Sequence, residues 1–288
     1  MAVADKLTEL RVSPGEVAPM QAAAAAVAAC HRALAARDGD ILAEIGVNGG
    51  ALVDWQRYPV GEVYDPQTHV QYFYHAHPAA DRAVREHGHF HTFLRAEGMP
   101  VGVAPLVLPE IAVADAARPL PQAAPLKYGA RVELSHLVAI ALDLRGEPMR
   151  LFTTNRWVTG ETWYRADDVI RMLDRFTIGE VGGPAVLNRW IGAMLALFRP
   201  QIVALLRQRD ETVTAWRWRR RTNVFEDIRL EITSSVEIDL GAQLAFLDRV
   251  GSGPGTNVSE QLLHLPPMAD GWSEGLADGT RSAWLRLR

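Results

Sequence analysis

Val70-Gln71-Tyr72-Phe73-Tyr74-His75-Ala76-His77 and, after a short connection, His87-Gly88-His89-Phe90-His91-Thr92-Phe93-Leu94 decide how this chain is read. Both stretches are aromatic and nearly free of strong helix formers, so each predicts a strand. Strand side chains alternate between two faces. His75 and His77 therefore share a face with Gln71 and Phe73, and His87, His89 and His91 share one with Phe93. Antiparallel pairing across residues 78–86 brings up to five imidazoles onto one surface. Those five are more than half of the nine histidines in the chain, which makes the pair of strands the strongest chemical signal it carries.

Working outward, His136–Asp143 and Met149–Asn155 flank Leu144-Arg145-Gly146-Glu147-Pro148 and predict a hairpin. Between the histidine strands and this hairpin, residues 101–127 carry prolines at 105, 109, 119, 121 and 125. Val101–Leu108 can form a strand, and the remainder predicts a long irregular loop. Upstream, residues 15–37 predict a helix, because alanine has the highest helix propensity, and Arg37-Asp38-Gly39-Asp40 ends it. Downstream, Ala166-Asp167-Asp168 caps a helix with Val169, Ile170, Leu173 and Phe176 at helical spacing. Pro184 opens another, with Leu187, Trp190, Ile191, Met194, Leu195 and Phe198 as its buried face, and Pro200 kinks it or starts a third helix reaching about Arg209. A late strand is expected from Phe225 to Ser234, then a helix capped by Asp239 over Leu240–Val250.

The expected architecture is α+β: a mainly antiparallel sheet covered by helices, with an Ala-rich N-terminal helix and a poorly ordered C-terminal tail. One domain spans 1–250, divided into a helical arm (1–50), a strand-rich core (51–164), helices (165–212) and a strand plus helix (213–250). Residues 251–288, headed by Gly-Ser-Gly-Pro-Gly, form the tail.

A formal charge of −4 supplies no basic field, which argues against sequence-independent nucleic-acid binding. Trp216-Arg217-Trp218-Arg219-Arg220-Arg221 resembles a basic-aromatic nucleic-acid patch, but a packed strand with a solvated outer face is the reading preferred. The single cysteine, Cys30, excludes an internal disulfide and multi-cysteine zinc sites. MAVADKLTEL lacks the composition of a signal peptide, and Ala22–Cys30 is too short to span a bilayer, so a cytoplasmic protein without membrane partners is expected.

Neutral imidazole suits iron, zinc, copper and nickel, and three ligands with an open position define a catalytic rather than a structural site. The candidate ligands are His89, His91, His75, His77 and His87 in that order, with His136 from a neighbouring strand. Asp81 and Glu86 are candidates for an extra ligand or general base, although strand alternation turns Glu86 to the opposite face. Iron is the first choice, zinc the second, and heme a further option. In Thr153–Tyr164, Arg156 is a candidate to orient an anionic small-molecule substrate, with Asn155, Trp157 and Trp163 lining its pocket. The tryptophans can equally pack the following helix onto the sheet, and the alternative for the histidines, less favoured than metal binding, is that they line the wet face of a sheet.

His75-Ala-His77 followed by Asp81 resembles the first cupin motif, without its preceding glycine or a second motif. His87-Gly-His89-Phe-His91-Thr-Phe93 is similar to the signature of histidine-triad nucleotide hydrolases, a resemblance that implies His89 as a nucleophile on phosphate. Over about 55–230, the runs VYDPQTHVQYFYHAHP, REHGHFHTFLR and HLVAIALD with LFTTNRWVTGETWY resemble an uncharacterised bacterial family of unknown function, which implies no particular activity. The expectation is a metal-dependent enzyme, either a non-heme iron oxygenase or a zinc hydrolase. The alternatives are a non-enzymatic metal- or heme-binding accessory protein and a histidine-triad-like phosphoester hydrolase.

Overall fold

Six strands pair in sequence order, each antiparallel to the next, and helices close one face of the sheet. A computed structural model describes residues 9–46, 53–78, 85–108, 133–180, 182–251 and 261–264. In the sheet are β2 (Tyr58–Tyr64), β3 (Val70–His75), β4 (Glu86–Arg95), β5 (Leu134–Asp143), β6 (Pro148–Thr154) and β7 (Ile232–Glu237). A separate two-stranded ribbon pairs β1 (Glu9–Val12) with β8 (Gln261–His264).

The expected hairpin is β5–β6. Asp143 Oδ1 accepts the backbone N–H groups of Arg145 and Glu147, and Gly146 takes a positive φ of 81° that a turn here requires. Val70, Tyr72 and Tyr74 of β3 alternate with Gln71, Phe73 and His75, and the first set enters the main core with Phe90, Val138, Ile140, Leu142, Leu151 and Val236.

Over this apolar face lie α1 (Pro14–Ala35) and α5 (Ala185–Leu197), packed on each other. α1 begins where Glu16 reaches back to the Ser13 N–H at 2.9 Å and Pro14 fills the first turn. Its buried stripe is Met20, Ala23, Val27, Cys30 and Leu34. All six residues expected on the buried side of α5 and its C-cap are buried, and Trp190 meets Phe90 of the sheet at 5.8 Å. The short helices α2 (Ile41–Glu44) and α3 (Arg156–Thr159) sit in the connections, and α7 (Leu240–Gly251) packs on α1, capped by Asp239 Oδ1 on the Ala242 N–H.

Several expectations are corrected. Pro200 starts a new helix, α6 (Arg199–Arg220), and this runs well beyond Arg209. Trp216–Arg220 is therefore its last turns and Arg221 its left-handed cap, not a strand: arginine propagates a helix already nucleated upstream more readily than it starts a strand. The late strand begins at Ile232, because Val224–Glu226 forms a 3-10 turn, so β7 lies further along than expected. Asp167 and Asp168 lie in the first turn of α4 (Ala166–Leu173), with Arg165 at the cap. Val101–Leu108 forms no strand. The remainder of the proline-rich segment, 109–127, and most of the tail lie outside the described residues. Among those described, no single helix is long and apolar enough to cross a membrane.

Candidate metal centre

The sheet's second face is a grid set by the ladder registers. In one row His75 faces His89, His89 faces Ala141, and Ala141 faces Arg150. In the next stand Phe73, His91, Ala139 and Phe152. In a third Gln71 faces Phe93, and Phe93 faces His136. His75, His89, His91 and His136 are all buried.

One ring nitrogen from each of His75, His89 and His91 lies within 4.8 Å of the others. His75 Nε2 and His89 Nε2 are 2.9 Å apart. With metal–nitrogen bonds of roughly 2.1 Å, nitrogens cis on an octahedral ion are about 3.0 Å apart and on a tetrahedral ion about 3.4 Å. The observed spacing therefore fits a shared ion with little ring movement.

Two irregularities in the β4–β5 ladder make this cluster. The register shifts between Glu86 and Gly88, and again between Thr92 and Phe93. The first shift reverses the expected faces of residues 86 and 87. Glu86 comes onto the histidine face, where its Oε1 lies 2.7 Å from His89 Nδ1 and its Oε2 accepts a hydrogen bond from Arg150 at 2.5 Å. His87 leaves that face, and its Nδ1 meets the Tyr74 hydroxyl at 2.7 Å. The intervening glycine is obligatory, since a Cβ at Gly88 would lie 2.5 Å from the His75 carbonyl oxygen. The second shift brings His136 Nε2 to 3.0 Å from His91 Nδ1.

Burial opposes ionisation of Glu86, but the His89 hydrogen bond and the charges of His89 and Arg150 outweigh it and hold the carboxyl at about 2. An ionised carboxylate only accepts, so the His89 Nδ1–H donates to Glu86. Burial, then the neighbouring histidines, push His91 well below the usual imidazole range. Burial, then Arg209 and His89, bring His136 to about 3. Neutral imidazoles are the form that binds metal. An ion held by His91 Nε2 would select the tautomer whose Nδ1–H donates to His136 Nε2. Behind His136, Glu161 accepts its backbone N–H at 2.7 Å, and burial raises that carboxyl to about 7 despite Arg209.

His77 follows the end of β3, with its ring centroid 5.1 Å from that of His75 and 5.0 Å from that of His89. The Trp55 indole stacks against it at 4.3 Å.

The other expected site residues sit elsewhere. Arg156 pairs with Glu226. Asn155 caps α3 and donates to the Val224 carbonyl at 2.7 Å. The Trp157 indole N–H donates to the Leu230 carbonyl at 2.9 Å. Trp163 belongs to a small core with Val213, Val224, Phe225 and Leu230, and Arg209 lies over its ring. Both tryptophans thus make packing contacts, but with α6 and the Val224–Leu230 segment and not between α4 and the sheet as the packing reading had it. Asp81 lies outside the described residues. Arg150 escapes the sequence reading because nothing local marks which residue will face Glu86 across two strands. Gly88 is the available clue, since a glycine inside a strand signals a bulge or a close approach.

The molecule is thus a helix-backed antiparallel sheet carrying a buried polyhistidine cluster with a metal-ligand geometry. The chain belongs to the family described as Domain of unknown function (DUF6969), whose model matches residues 21–238. Neither the curated proteins nor the solved structures contain a match to it.

Proposed function

We propose that this protein is a metal-dependent enzyme that holds iron(II), or failing that zinc, on His75, His89 and His91 and acts on a small molecule. The observation that carries the reading is the convergence of three buried imidazoles, one of them backed by the Glu86–Arg150 pair. A carboxylate behind a ligating histidine fixes its tautomer and strengthens its donor nitrogen, the usual outer layer of a metal centre. Three protein ligands leave positions for water or substrate. When bound, iron supplies oxygen-dependent oxidation, and zinc an activated water for hydrolysis.

Glu86 in this reading holds His89 and does not serve as the general base. Arg156 is already engaged by Glu226, which removes support for its role in orienting substrate. Heme draws no support from three imidazoles converging on one point, because heme iron takes only axial protein ligands. The histidine-triad alternative weakens because the bulge turns His87 away from His89 and His91. Burial of the three ligands favours, as a second reading, a non-enzymatic metal-binding accessory protein. A reducing, cytoplasmic setting belongs to the proposal, since iron(II) and the free Cys30 both suit it.

The test is elemental mass spectrometry of untagged protein purified without chelator, beside His75→Ala and His89→Ala. About one iron or zinc per chain, lost in both variants, is expected. No metal in the wild type, and no uptake on reconstitution with Fe(II) or Zn(II), would sink the reading.

A further inference from the structure

β3 ends at His75, but its alternation continues for one more pair. The Trp55 N–H donates to the Ala76 carbonyl at 2.9 Å, which holds the chain extended and keeps His77 on the side of His75. Imidazole centroids bound cis to one ion stand about 4.5 to 5.2 Å apart, from octahedral to tetrahedral geometry. Among His75, His89 and His91 the separations are 4.7, 4.9 and 5.1 Å. The separations of His77 from His75 and His89, 5.1 and 5.0 Å, fall in the same range. By ring spacing His77 is within reach of the set, but its ring nitrogens are not among those that converge within 4.8 Å.

What distinguishes it is its other neighbour. Trp55 has a left-handed backbone, φ 69°, which a bulky residue adopts only where its surroundings over-determine it. That conformation stacks the indole on His77 at 4.3 Å and sets its edge toward His75 at 6.2 Å. His75, His89 and His91 are held within the sheet, whereas His77 is half-buried and lies beyond the strand.

We propose that His77 is an exchangeable fourth ligand of the trihistidine centre: stacked on Trp55 it leaves a coordination position open, and released from the indole it closes the sphere with a fourth nitrogen. This rests on the metal reading above. Opening and closing then need only a side-chain movement of one residue at a strand end, while the three strand-borne ligands keep the ion. An incoming donor ligand competes with His77 for that position, which gives the site a built-in gate.

The experiment is Co(II) titration of the full, untagged chain, followed by its visible d–d absorption, in the wild type, His77→Ala, Trp55→Ala and the double variant. Four-coordinate Co(II) absorbs far more strongly than five- or six-coordinate Co(II). His77→Ala should still bind one equivalent, about tenfold more weakly and with weaker bands, because waters fill the vacated side and raise the coordination number. Trp55→Ala removes the competing stack and should tighten Co(II) binding roughly three- to tenfold, a direction that general structural damage does not produce. That gain should vanish in the double variant. An unchanged spectrum and affinity in His77→Ala, or weakened binding in Trp55→Ala with native circular dichroism, overturns the gate while leaving the trihistidine site standing. A wild type that takes up no Co(II) overturns the trihistidine site itself.

Discussion

The two faces of this sheet are made from alternate residues of the same strands, yet they are built on opposite physical principles. One face presents Val70, Tyr72, Tyr74, Phe90, Val138, Ile140 and Leu142 to helices, and its burial drives folding. The other presents Gln71, His75, His89, His91, His136, Glu86 and Arg150, all of them also buried. Burying polar and charged groups costs free energy unless each finds a partner, and even a satisfied buried ion pair contributes little to stability over an apolar replacement. The helix-backed face therefore accounts for why the chain folds, and the histidine face is the one on which the proposed function rests.

The largest expected effect breaks the first face alone. Ile191→Ala on α5 leaves a cavity in the main core and should cost roughly 2–5 kcal/mol in urea unfolding, with the metal stoichiometry of the folded fraction unchanged. Metal loss in that variant would show that the faces are not separable.

Arg150→Ala attacks the other face. It strands a buried carboxylate and should cost about 3 kcal/mol, and by loosening His89 it should weaken metal binding roughly tenfold to a hundredfold. The double variant Glu86→Leu/Arg150→Met sharpens the contrast: stability should return to near the wild type, while metal affinity should not. Recovery of both would mean that the pair is merely structural.

The smallest effect lies on the helix side and depends on pH. Asp65 accepts N–H groups from Gln67 and Gly179, tying the β2–β3 turn to the segment before α5. Burial would raise its pKa, but these backbone donors outweigh it and lower the pKa in the folded protein. Its contribution is complete above the unfolded pKa of about 4 and is lost as pH falls through the lower folded value. Asp65→Asn should therefore reduce the thermal midpoint at pH 6 by a few degrees, with the difference from wild type shrinking toward pH 3. A constant difference across that range would remove the carboxylate from the account.

Much of this was legible in the chain. The runs 70–77 and 87–94 identify themselves as strands, because residues at i and i+2 share a face whatever the strand pairs with. The pairing of β3 with β4 and the hairpin β5–β6 follow from short connections, and the buried side of α5 follows from its spacing. Other features were not legible. The strand-like alternation of Trp216–Arg219 misleads, because a helix begun at Arg199 continues through it. Trp163 and Asn155 carry the chemistry of a pocket but serve packing and capping, a distinction set by what lies beside them.

The sequence by itself determined that histidines would gather on one side of an antiparallel sheet, since alternation is a local property of extended backbone. Only the tertiary structure decided which groups joined them. A bulge exists only in the ladder between two strands, so β5 had to pair with β4 before Glu86 could turn toward His89, His87 could turn away, and His136 could reach His91. Arg150 comes from a third strand, β6, because its partner is fixed by register and not by distance along the chain.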